Sequence, residues 1–121
     1  MKLPEFLKRI QESLGLDPFE ARRSATSILG ALFARLTPDE ARHLAAQLPH
    51  QLRDRYVVKR GFDRLSAGGL VRRVADDLDL DEDEAIRRIQ RVFRVVREAV
   101  SPGAVEHALD QMPQDLQSLL T

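Results

Sequence analysis

Apolar residues recur at helical spacing along most of the chain. Leu3, Phe6, Leu7, Ile10 and Leu14 share one side of a helix, which predicts an amphipathic helix over residues 4–14 with Pro4 in its first turn. Leu-Gly-Leu-Asp follows, a stop and then an N-cap. Asp17 caps a helix starting at Pro18, and Glu20 sits three residues on, as a capping-box acid does. Asp81 and Glu84 repeat the signal, so long helices are expected over 18–35 and 82–99. Thr37-Pro38-Asp39-Glu40 opens a third helix with hydroxyl, Pro and Glu in the favoured places. Ser101-Pro102-Gly103-Ala104 keeps the cap and the Pro but loses the Glu. Pro49 and Pro113 end the third helices and open short fourth ones near 50–56 and 114–120. No segment alternates with period two beyond a few residues, and Tyr56-Val57-Val58 is too short to make a sheet. The fold class is all-α, a compact bundle of six to eight helices.

The helix signals come twice because the chain repeats itself. Residues 6–56 align without a gap on 70–120 at an offset of 64, with 12 of 51 pairs identical. His43/His107, Gln47/Gln111 and Pro49/Pro113 are among them. Residues 57–69 form the joint, and residues 1–121 are read as a single helical domain. A few helices of this length close a poor core alone, so the two sequence-related halves are expected to pack together with pseudo-twofold symmetry.

Composition narrows the function. Lys plus Arg and Asp plus Glu both number 19, so bulk charge offers no attraction to nucleic acid. There is no cysteine, hence no disulfide and no thiol chemistry. No run of eighteen apolar residues spans a membrane, and the first residues carry charges instead of a signal-type apolar core. A cytoplasmic protein with no membrane association is expected. With one Tyr and no Trp, the core is aliphatic; Leu29, Leu32, Leu44, Leu48, Ile89, Val92, Val96 and Leu109 are its expected members.

The ordered motifs resemble a known bacterial family, the domain of unknown function numbered 2267. They are Phe6-Leu7-Lys8-Arg9-Ile10 and Leu70-Val71-Arg72-Arg73-Val74, then Gly15-Leu16-Asp17 with Glu20-Ala21 and Leu80-Asp81 with Glu84-Ala85. The stretch from Leu32 through Ala41 follows, and the helices close on Leu48-Pro49 and Met112-Pro113. The resemblance covers nearly the whole chain and departs at Gly103-Ala104. It implies an all-α fold and transfers no catalytic residue.

The acidic stretch from Asp76 to Glu84 fails as a calcium loop. A loop starting at Asp77 puts Glu82 where Gly is needed and Arg88 where Glu is needed, and one starting at Asp79 fails likewise. Acids at a helix N-terminus are the simpler reading. Arg87, Arg88, Arg91, Arg94 and Arg97 stand on the second long helix, and Arg87, Arg91 and Arg94 form one stripe. Asp83, Glu84 and Glu98 lie four residues from Arg87, Arg88 and Arg94, and residues 61–121 hold 12 acids against 8 bases. A solvated face is favoured over a phosphate track. His43 with Gln47, and His107 with Gln111, are polar pairs sharing a helix face. Glu40-x-x-His43 has di-iron spacing, but Ala104 stands where a second Glu is required. No complete ligand set or nucleophile motif is present, so no metal, cofactor or catalytic residue is expected.

One asymmetry separates the halves. Thr26, Ser27, Gly30 and Ala34 make a small, neutral face on the first long helix, where the second carries Gln90, Arg91, Arg94 and Glu98. This face is expected to be covered, by the joint with Val57, Val58, Phe62 and Leu65 or by a homodimer seam. The leading expectation is a non-enzymatic protein-interaction domain, with a second copy or another protein as partner. The alternatives are a nucleic-acid-associated regulator using Arg87–Arg97, and a ligand binder or enzyme with a pocket between the halves.

Overall fold

A computed structural model describes residues 1–52 and 64–121. Seven helices are bounded within them, and these residues contain no strand. They are α1 (Leu3–Leu14), α2 (Pro18–Ala34), α3 (Pro38–Ala45), α4 (Ala67–Leu78), α5 (Glu82–Ala99), α6 (Pro102–Asp110) and α7 (Gln114–Leu120). Residues 50–52 are helical, and the rest of the helix expected over 50–56 lies outside the described residues. So do most of the joint and its Val57, Val58 and Phe62. The joint's last residues are helical already, because Ser66 caps α4 by accepting from the Gly69 amide at 3.1 Å.

Caps place the ends where the sequence puts them. Asp17 and Asp81 accept from the Glu20 and Glu84 amides, both at 2.8 Å. Thr37 and Ser101 accept from the Glu40 and Ala104 amides, both at 3.4 Å. α1 stops at Gly15 with φ 68°, where its amide donates to the Gln11 carbonyl at 2.7 Å. α4 stops the same way at Asp79 with φ 55°, a left-handed residue that aspartate tolerates better than most.

The four long helices close a ring in which α1 packs on α2 and α5, and α4 packs on α2 and α5. α2 also touches α5 across the ring, α3 packs on α6, and α7 lies against α4 and α5. Phe6, Ile10, Ile28, Leu70, Ile89 and Leu116 are fully buried, so both halves fill one core. All eight expected core residues are buried. No helix among the described residues is long and apolar enough to cross a membrane.

Candidate functional site

Where α2 crosses α5, a polar cluster interrupts the aliphatic core. Arg88 is 8 % exposed and donates to the Ser24 hydroxyl at 3.0 Å, to Glu84 at 3.0 Å and to Glu20 at 3.2 Å. Arg23 binds Glu20 at 2.5 Å, and Arg87 binds Glu84 at 3.1 Å. The Arg23 hydrogen bond holds the Glu20 carboxyl below the usual carboxylate range; partial burial opposes this and Arg88 reinforces it. Three guanidinium groups, Arg23, Arg87 and Arg88, thus stand against the two carboxylates of Glu20 and Glu84, a near match of partners of the kind a partly buried ion group needs.

Two members of the arginine stripe, Arg87 and Arg91, make contacts inside the chain. Arg87 donates to the Leu14 carbonyl at 3.3 Å and Arg91 to the Ser13 carbonyl at 2.8 Å. Arg97 stands 3.9 Å from Glu106 and 5.2 Å from the Phe93 ring centroid. Two expected pairings are corrected. Arg87 takes Glu84 instead of Asp83, one turn back on the same face, and Glu98 pairs with Arg9 of α1 instead of Arg94, because α1 lies against α5. Arg94 is exposed.

His43 and His107 stand on α3 and α6, while Gln47 and Gln111 lie just past the ends of those helices and reach across the helix contact. Gln47 accepts from the Ser101 amide at 2.7 Å, and Gln111 accepts from the Thr37 hydroxyl at 3.3 Å. Each glutamine thus meets the first turn of the other short helix. Glu40 is buried, with Gln111 donating to it at 3.5 Å and Nδ1 of His107 at 3.3 Å from the same oxygen. Glu40 therefore faces His107 and not the His43 of its own helix, which is exposed. Among the described residues, no group of three His, Asp or Glu side chains is arranged to hold a metal.

The small face of α2 is divided by its surroundings. Gly30 and Ala34 are buried, as are all of residues 28–34 of α2; Val57, Val58 and Phe62, expected as one possible cover, lie outside the described residues. Thr26 and Ser27 remain half-buried and line a groove of about 380 Å³ between α2 and the end of α4. Phe19, Arg22, Arg23, Asp77 and Leu78 complete its wall. Phe19 is 69 % exposed, and Arg23 lies 6.0 Å from its ring centroid. Ser27 donates to the Asp77 carboxylate at 3.1 Å, and Arg23 donates to the Asp77 carbonyl at 3.3 Å.

A model of the family described as an uncharacterized conserved protein, DUF2267, matches residues 4–119. The chain belongs to the DUF2267 family. No curated protein matches it. Within this DUF2267 chain, the sequence identified Thr26 and Ser27 but missed Phe19, Arg22, Arg23, Asp77 and Leu78, which complete the groove. One signal was available for Phe19: a large aromatic stands near a helix start where the other half has Asp83. Asp77 carried no such mark, since it sits among other acids and its role depends on α2 lying beside it.

Proposed function

We propose that the chain is a non-enzymatic, cytoplasmic protein-interaction domain whose contact surface is the groove between α2 and α4. The exposed Phe19 carries this reading. It is the one large hydrophobic side chain left exposed among the described residues, and it stands at a concave site with polar groups on both walls. Aromatic anchors beside arginines are what protein interfaces concentrate at their centres. The nucleic-acid alternative gains less support, because Arg87, Arg88, Arg91 and Arg97 have partners within the chain.

The test is site-specific photocrosslinking from position 19 in living cells, with a probe at the exposed Asp110 as control. The expected result is a discrete adduct from position 19 alone. The purified partner should then bind the wild type at least about tenfold more tightly than Phe19→Ser, a loss of about 1.4 kcal/mol. Equal adducts from both positions, none from position 19, or a partner indifferent to Phe19→Ser would overturn the reading.

A further inference from the structure

The end of α1 shows what kind of group fits beside the end of α4. At α1, two guanidinium groups serve the last carbonyls: Arg91 donates to Ser13 at 2.8 Å and Arg87 to Leu14 at 3.3 Å. Carbonyls in a last helical turn lack intrahelical donors and lie at the negative end of the dipole, so cations gather there. At α4 one such guanidinium is present, with Arg23 donating to the Asp77 carbonyl at 3.3 Å. The residue 64 positions before Arg91 is Ser27, and the residue 64 positions after Ser13 is Asp77. An arginine–serine contact at one helix end is thus a serine–aspartate contact at the other. The exchange removes a positive charge, adds a negative one and replaces a long side chain with a short one. The groove of about 380 Å³ opens beside this pair.

We infer that the groove receives an arginine side chain from a partner protein, an inference that rests on the groove being a protein-contact surface. Asp77 is exposed, and the Ser27 hydrogen bond leaves its carboxylate with accepting capacity for a guanidinium fork. It stands in the last turn of α4, where the dipole disfavours a carboxylate and which holds no basic residue. An incoming cation relieves that conflict. Phe19 adds a ring face, and Arg23 at 6.0 Å from its centroid shows that the ring already accommodates a guanidinium. The resident cations leave room for another. Arg23 is matched by Glu20 at 2.5 Å, and Arg87 and Arg91 already share the end of α1. Arg22 is exposed. A lysine ammonium, compact and strongly hydrated, matches the carboxylate and ring less well than a planar guanidinium.

The test is an NMR titration of the full ¹⁵N-labelled chain with three blocked tripeptides, Gly-Arg-Gly, Gly-Lys-Gly and Gly-Glu-Gly. The arginine peptide is expected to shift the Phe19, Ser27 and Asp77 amides saturably, at least about fivefold more tightly than the lysine peptide. Asp77→Asn should weaken it about tenfold, the loss of a charge-assisted contact. Ser27→Arg should abolish the shifts and raise Tm by supplying the guanidinium from within. Preference for the glutamate peptide, equal binding of arginine and lysine, no saturable shift, or an unaltered Ser27→Arg response would each overturn the inference. If position 19 crosslinks a specific partner while no arginine peptide binds, the contact surface stands and the arginine assignment falls.

Discussion

Arg88 and Ser24, which the alignment at an offset of 64 sets against each other, hydrogen-bond at 3.0 Å. The contact explains why the halves differ there. Were both residues arginine, two guanidinium groups would meet at a buried crossing and repel. Serine on α2 instead offers a hydroxyl that accepts from Arg88, and the arginine reaches both Glu20 and Glu84. At the crossing one arginine thus serves two acids, and each acid has a second arginine of its own, Arg23 for Glu20 and Arg87 for Glu84.

Replacing Arg88 should destabilise the fold more than replacing Ser24. Arg88→Met leaves Glu20 and Glu84 without their shared partner. The carboxylates keep some solvent, so the expected loss is about 2–3 kcal/mol, below the value for a fully buried pair. Ser24→Ala should cost about 1 kcal/mol, one hydrogen bond. Urea denaturation of both variants checks the order.

Stability should fall in acid partly through Glu20. Its folded carboxyl titrates below the ordinary value of 4.5, first because of the Arg23 hydrogen bond. A depressed folded pKa stabilises the protein above the unfolded value, and that contribution is lost as pH falls through the folded one. Glu20→Gln should lower stability near neutrality and flatten its decline below about pH 4.5, since the variant has no proton to take up there. Thermal melts from about pH 7 to 3 measure both effects.

Leu32 is 3 % exposed in the shared core. Leu32→Ala should cost about 2–5 kcal/mol, the range for deleting a buried leucine side chain. A loss under about 1 kcal/mol in chemical denaturation would contradict its burial.

Two glycines should respond with opposite signs. Gly103 lies in the first turn of α6, and a Cβ added there meets nothing within 4 Å. Gly103→Ala should stabilise by about 0.5–1 kcal/mol. Gly15→Ala meets nothing within 4 Å either, but its φ of 68° is left-handed. It should destabilise by about 1 kcal/mol. Paired melting curves test the contrast.

Gly30 is buried in a stretch where residues 28–34 of α2 are all buried. Gly30→Leu should therefore overpack the interior and cost about 1–3 kcal/mol. Its mass in solution should equal that of the wild type by light scattering. A change in mass would assign Gly30 to a seam between copies.

The legible features are those whose causes lie within a turn or two along the chain. The helix starting at Pro18 follows from Asp17 and Glu20, and the observed cap is the hydrogen bond those residues imply. The buried stripe of Ile89, Val92 and Val96 follows from spacing alone. The stop after Leu14 follows from Gly15, whereas the matching stop at Asp79 shows no glycine to mark it. Two residues of the groove, Thr26 and Ser27, were visible as part of the small face. The groove's depth depends on Asp77, fifty residues from Ser27, and the reach of an exposed Phe19 depends on α4 lying alongside.

Helix type, order and core face are thus properties of the chain read locally, because periodicity and capping act between neighbours in sequence. Which charges meet is decided only by folding. The Arg87–Arg97 helix reads as a solvated face when its own acids alone are counted, yet Arg88 is buried against Glu20, 68 positions away. Glu40 reads as half of an Glu-x-x-His pair on one helix, yet it is buried opposite the His107 of another. The reason is geometric. A residue's place on its helix fixes the direction in which its side chain leaves the axis, but the packing of α2 on α5 and of α3 on α6 determines what waits there. Those packings are set by the sum of many aliphatic contacts, none of which specifies a charge partner.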